Sequence, residues 1–167
     1  MKAMLKALAV AAMIALAIGI AVPGAHAQSP SSLAGSWSLV SLTVTRSGTE
    51  EELLGAHPEG LLMFGSDGRY ALVGVRANLP KFASGNRLQG TADENAGIAQ
   101  GNVAHFGMYT VDTTAHVIVF HIQRSTFPNW DGDVQRRPFS IDGDRLTYVT
   151  PGSFGYGAAK VVWQRMK

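Results

Sequence analysis

Short runs of β-branched and aromatic residues, each bounded by turn-forming residues, recur along the chain after Ala27. Several runs alternate apolar and polar side chains, which is the pattern of a strand with one face in a core. Helical periodicity is nearly absent there, so the predicted fold is all-β. The spacing is that of hairpin-linked antiparallel strands, in either an up-and-down barrel or a sandwich. About eight strands are predicted, over residues 33–45, 61–64, 69–75, 105–111, 117–123, 134–141, 145–150 and 160–165.

Two segments between these runs lack strand character. Residues 47–59 are polar and include three consecutive glutamates, so a solvated loop or a short helical turn is predicted there. Residues 76–101 are interrupted by Pro and Gly, and residues 91–100 within them are predicted to form a helix with two acidic residues in its first turn. The 76–101 segment is predicted to be either a helical or irregular lid over one end of a barrel, or a disordered surface excursion.

The first 27 residues have the organisation of a secretory signal peptide. Lys2 and Lys6 precede a nearly continuous apolar stretch, and Ala25-His26-Ala27 is an A-x-A cleavage site. We therefore predict a signal peptide over residues 1–27 and a mature domain over residues 28–167. The alternative is a retained membrane anchor, but the apolar stretch is short for a membrane span. No stable membrane insertion is expected after cleavage. The predicted location is periplasmic or secreted.

Charge and cysteine content narrow the classes of function. The net charge is +2, and removal of Lys2 and Lys6 with the leader would bring it to about zero. Basic residues do not cluster along one face, so no nucleic-acid partner is expected. Cysteine is absent, which excludes disulfides and a thiolate nucleophile.

The two ends of the predicted domain carry a matching pair of motifs. Gly35-x-Trp37 opens the first strand, and Trp163-Gln164-Arg165 lies in the last. The first motif resembles the G-x-W signature of lipocalins, in which a late arginine stacks on that tryptophan across the closed end of the barrel. The resemblance implies a cation–π contact between Arg165 and Trp37, worth about 0.5–2 kcal/mol, and it favours a closed barrel over a sandwich.

A second motif lies between residues 116 and 137. It runs from a β-prone stretch through the turn residues Phe127-Pro128-Asn129-Trp130 into another strand. This stretch resembles the lipocalin-like domain family of small bacterial and fungal proteins, with the pattern H-x-x-x-S-x-F-P-x-W-x-G-x-x-Q-x-R. The matching residues are His121, Ser125, Phe127, Pro128, Trp130, Gly132, Gln135 and Arg137. The resemblance implies an eight-stranded barrel that holds a small, partly apolar ligand with an acidic or polar end.

The candidate ligand-binding residues follow from strand alternation around this motif. Both faces of residues 117–123 are apolar, and the simplest consistent assignment turns His121, Gln135 and Arg137 inward. An inward arginine beside histidine and glutamine suits a carboxylate or phosphate. Two alternatives stay open. The histidine is then an ordinary core residue, and Arg137 pairs with Asp112, Asp131 or Asp133. The remaining candidates are Tyr109, His105 and Trp130, the last either packing as a lid or stacking on a ligand.

Catalytic and cofactor motifs are not evident in the sequence. Ser125 does not lie in a nucleophile elbow, and no phosphate-binding glycine loop is present. His116 and His121 are five residues apart, so on one strand they point to opposite faces and cannot form an adjacent metal pair. No metal or other cofactor is expected. Two alternatives to ligand binding remain: a cofactor-free isomerase, cyclase or hydrolase with His121 as acid–base, and a filled barrel with a structural or interaction role.

Overall fold

The computed structural model describes residues 30–150, 152 and 157–167, so the predicted signal peptide lies outside the described residues. Within these residues, nine antiparallel strands make up one sheet, joined mostly by short turns. The same part of the chain contains two helices and a 3-10 turn: α1 (Pro30–Leu33), α2 (Ala92–Gln100) and Pro128–Trp130. The strands are β1 (Gly35–Arg46), β2 (Thr49–Glu52), β3 (Glu59–Phe64), β4 (Arg69–Val75), β5 (Asn102–Asp112), β6 (Val117–Ser125), β7 (Val134–Asp142), β8 (Arg145–Thr150) and β9 (Ala159–Arg165).

The sheet closes on itself through its first and last strands. Strand β1 pairs with β3 over Gly35 to Ser38, and it also pairs with β9 from Trp37 to Val44. The closed ring consists of β1 and β3 to β9, eight strands in chain order, while β2 pairs with β1 alone. The predicted up-and-down antiparallel barrel is therefore confirmed, and the sandwich alternative is excluded.

One end of the barrel is sealed by the predicted pair of aromatic and guanidinium groups. The fully buried Trp37 donates its indole N–H to the carbonyl of Leu33 at 2.9 Å. Arg165 lies over the indole with its Cζ 4.0 Å from the ring centroid, and it donates to the carbonyl of Ala34 at 3.0 Å. The predicted cation–π contact is confirmed, and it defines the closed end; the opposite end is the mouth.

The strand β2 is a departure from the sequence prediction. A loop or helical turn was expected over residues 47–59 because three glutamates are poor strand formers. That expectation is wrong, because β1 continues past the barrel and offers a free edge that pairs Thr43 with Glu52 and Arg46 with Thr49. The glutamate side chains stay largely exposed, while Leu54 just beyond the strand is buried.

The segment 76–101 is ordered by its own hydrogen bonds. Thr91 caps α2 by accepting from the backbone N–H of Glu94 at 3.2 Å. The Glu94 carboxylate accepts from the backbone N–H groups of Thr91 and Ala83, both at 2.8 Å. The predicted helix is confirmed, and this capping box defines its start. Among the described residues, no helix is long and apolar enough to cross a bilayer.

Candidate functional site

A fully buried arginine occupies the barrel interior. Arg137 is 2% exposed, and its Nη2 donates to Gln135 Oε1 at 2.7 Å and approaches His105 Nε2 at 3.4 Å. Its Cζ lies 4.5 Å from the ring centroid of Phe120 and 5.1 Å from that of Tyr148. Two acceptors and two aromatic faces therefore surround this guanidinium and offset part of the cost of its burial.

His105 links Arg137 to a second strand. Burial and the nearby Arg137 charge lower the pKa of His105 from 6.5 to about 3, so the ring is neutral at physiological pH. An arginine N–H can only donate, so His105 Nε2 accepts and the proton lies on Nδ1. Nδ1 then donates to the Tyr70 hydroxyl at 2.8 Å. The result is a buried polar chain from Gln135 through Arg137 and His105 to Tyr70.

The charge of Arg137 has no carboxylate partner in the described part of the chain. The predicted pairing of Arg137 with Asp112 or Asp131 is wrong. Asp112 pairs with Arg136 at 3.2 Å, and Asp131 pairs with Arg124 at 2.9 Å. None of the ion pairs found among the described residues involves Arg137. Its Nε also has no hydrogen-bond partner there. Burial lowers the pKa of Arg137, but a guanidinium in a protein stays charged.

The predicted inward orientation of His121 is wrong. His121 is exposed and lies opposite Met108 and Val134, two other exposed residues on the outer face of the barrel. The other face of β6 turns inward because Phe120 and its neighbours there are larger and bury more apolar surface. His105 on β5 occupies the place beside Arg137 that was assigned to His121.

Two of the other candidates lie at opposite ends of the interior. Tyr109 is buried near the closed end, where its hydroxyl donates to the carbonyl of Gly65 at 3.0 Å. It lines neither of the interior cavities, so the structure does not bring it to Arg137. Trp130 is 7% exposed and packs edge-on against His105, with ring centroids 6.0 Å apart. It therefore lies directly beside the buried polar chain.

The mouth of the barrel contains a pocket of about 680 Å³. Its apolar residues are Leu42, Leu53, Leu54, Ala99, Val103, Phe127 and Trp130. Its polar residues are Arg46, Glu51, Glu52, Arg76, Gln100, Asn102 and Thr126. Arg46 pairs with Glu51 at 3.5 Å, and Arg76 donates to the carbonyl of Leu53 at 3.2 Å. We call this space the mouth pocket.

A much smaller cavity lies beneath the mouth pocket. Its volume is about 20 Å³, room for roughly one water molecule. Its lining includes His105, Arg137, Tyr148 and Trp163, and it shares Leu42, Val103 and Trp130 with the mouth pocket. We call this space the inner chamber. Arg137 lines only the inner chamber, so it is not in direct contact with the mouth pocket.

Metal ligands do not gather at either cavity. In the residues that the structure describes, no group of three or more His, Asp or Glu side chains could hold a metal ion. The donors nearest the inner chamber are a neutral histidine and a cationic guanidinium. This set attracts anions and repels cations.

Sequence reasoning missed several residues at the site. Tyr70 could have been found, because the alternation in β4 turns it inward with Leu72. The rim residues Arg76 and Asn102 had no sequence signal, since they flank the 76–101 segment whose fold was open. Tyr148 and Trp163 lie on predicted strands, but the registers of β7 with β8 and of β8 with β9, which bring them to Arg137, could not be read from the sequence.

The protein is a closed antiparallel barrel with a pocket at its open end. The family comparison agrees, because residues 34–166 match the model of the lipocalin-like domain. The chain belongs to the lipocalin-like domain family. Compared with curated proteins, the sequence has no significant match.

Proposed function

We propose that this protein binds a small, partly apolar molecule with an acidic or polar end, and that the mouth pocket is where the molecule is held. The observation that carries the proposal is a pocket of about 680 Å³ with apolar walls and a rim of charged and amide groups. Such a pocket can bury an apolar body and orient one polar end. Membership of the lipocalin-like domain family supports small-molecule binding in general.

The two alternative functions have less support. Acid–base catalysis by His121 loses its premise, because that side chain lies on the outer face of the barrel. His105 is inside, but its pKa of about 3 makes it a weak base. A wholly filled barrel fits the inner chamber and the closed end, but it does not fit the mouth pocket.

A test of binding uses the apolar anion 1-anilinonaphthalene-8-sulfonate as the probe. We expect saturable fluorescence enhancement with the natively folded protein. Phe127 is 48% exposed and lines the mouth, so Phe127→Ala should weaken probe binding about fivefold through lost apolar contact. The matched control is Phe106→Ala, because Phe106 is 46% exposed on the outer face of β5.

Two results would overturn the binding proposal. One is the absence of saturable enhancement with protein whose near-ultraviolet circular dichroism shows a packed fold. The other is an equal loss of affinity in both phenylalanine variants. Native mass spectrometry of the same protein, purified without the probe, would identify a co-purifying ligand.

We also propose that the protein is exported and that the mature chain begins at Gln28. The support is the basic start, the apolar stretch and the A-x-A motif of the first 27 residues. The measurement is the intact mass of the protein recovered from the periplasm and the culture medium after expression of the full chain. Full-length protein confined to the cytoplasm would contradict export.

A further inference from the structure

The wall between the mouth pocket and the inner chamber contains one side chain that is not on a strand. Leu42 and Val103 belong to β1 and β5, so strand pairing holds their backbones in place. Trp130 lies on the 3-10 turn Pro128–Trp130 in the loop between β6 and β7. Rotation of its indole would therefore join the two spaces while leaving every strand pair intact.

The backbone at Trp130 is fixed on both sides, so the rotation concerns the side chain alone. The Trp130 N–H donates to the Phe127 carbonyl, and the Trp130 carbonyl accepts from the Asp133 N–H, both at 3.0 Å. On the mouth side the indole contacts Phe127, with ring centroids 5.5 Å apart, and Phe127 is itself half exposed. On the inner side it contacts His105. The side chain separates solvent-facing Phe127 from the buried polar chain.

Beneath the indole lies a cation that has no counter-charge in the part of the chain that the structure describes. Among the described residues, Arg137 makes no ion pair, and its Nε–H has no acceptor. Burial of an uncompensated charge is unfavourable, so an anion that reaches the guanidinium would bind there strongly. A carboxylate suits this position because its two oxygens match the planar fork of an arginine.

We propose that the inner chamber is the head-group site for a small amphipathic monocarboxylate, which reaches Arg137 when the Trp130 indole rotates out of the way. The carboxylate then contacts the guanidinium in space that the indole has vacated, and the apolar tail occupies the mouth pocket. This inference rests on the proposed small-molecule binding and specifies the class and orientation of the ligand.

The test compares decanoate with decanol at pH 8, a pair that differs in the charged head group. We expect wild-type protein to bind decanoate at least tenfold more tightly in calorimetric titrations. Arg137→Met should remove this preference, while decanol binding stays within about twofold. Arg136→Met is the matched control, because Arg136 is the exposed neighbour on β7 and pairs with Asp112. It should keep the tenfold preference.

A second variant tests the part played by Trp130 and does not depend on the folding of Arg137→Met. Trp130→Ala should raise the association rate of decanoate at least tenfold in stopped-flow measurements, because the barrier between the two spaces is gone. The preference for decanoate over decanol should persist in this variant.

The outcomes separate this inference from the proposed function. Binding of both ligands by the wild type with equal affinity would overturn the head-group site and leave the mouth pocket as a binding site. A preference that survives in Arg137→Met would also overturn it. An unchanged association rate in Trp130→Ala would overturn the role of the indole. If the wild type binds neither decanoate nor decanol and also does not bind the sulfonate probe, the proposed function itself is overturned.

Discussion

The protonation of His105 is strongly coupled to the fold. Its pKa falls from 6.5 to about 3 on burial beside Arg137, so the unfolded chain takes up a proton that the folded chain does not. This contribution to stability is complete above pH ~6.5 and is lost as the pH falls towards 3. We expect the free energy of unfolding to fall by about 2 kcal/mol between pH 7 and pH 5, measured by urea denaturation.

The matched variant for this prediction is His105→Gln. Glutamine can still bond to Tyr70 and Arg137, but it does not titrate, so the loss between pH 7 and pH 5 should largely disappear. Any contribution of the other histidines to the free energy of unfolding is the same in both proteins and cancels in the comparison. Equal pH dependence in the two proteins would show that His105 is accessible to protons in the folded state.

Among the elements, α2 depends most on local hydrogen bonds. It has no buried residue, and Glu94 joins it to the preceding loop through the backbone of Ala83. Glu94→Ala should destabilise the 76–101 segment by about 1 kcal/mol, because the capping box and the bond to the loop are both lost. Amide hydrogen exchange in this segment should become about fivefold faster, with little change in the barrel strands.

The control for the helix is Asp93→Ala in the same turn. Asp93 is exposed, so its removal changes the charge near the helix N-terminus but breaks no bond to the loop. Exchange in the segment should change by less than half as much as in Glu94→Ala. Similar acceleration in both variants would mean that charge, rather than the Glu94 bonds, orders the segment.

The whole molecule depends on the seal at the closed end of the barrel. Arg165 joins β9 to Trp37 and to the backbone that leads into β1, and it lies 3.8 Å from Asp144. Arg165→Met should lower the free energy of unfolding by about 2–4 kcal/mol, since a cation–π contact and charged hydrogen bonds are lost. Urea denaturation followed by tryptophan fluorescence measures the change.

A lysine variant of Arg165 separates the contribution of its positive charge from that of its planar shape. Arg165→Lys keeps the positive charge but loses the planar fork that stacks and donates at once, so an intermediate loss of stability is expected. Arg145→Met alters an exposed arginine near the same end and should change stability by less than ~0.5 kcal/mol. An Arg165→Met protein as stable as the wild type would show that strand pairing alone closes the barrel.

Local sequence patterns were sufficient to predict most of the strands and the helix α2. The strands β4 and β8 have the predicted bounds, and α2 starts one residue after the predicted start, because its cap, Thr91, was counted as helical. Turn residues and alternation act within a few positions of the chain, so they can be read without tertiary information. The aromatic and guanidinium motifs at the two ends also indicated closure correctly.

Tertiary structure decided which face of β6 is inside and what fills the interior. Both faces of β6 are apolar, so alternation could not choose between His121 and Phe120, and packing placed the larger ring inside. The strand β2 exists only because β1 has a free edge beyond the barrel. The sequence by itself determined an eight-stranded barrel and an inward Arg137. The closed barrel alone decided that His105 lies beside that arginine and that Trp130 separates both from the mouth, because these contacts join residues far apart in the chain.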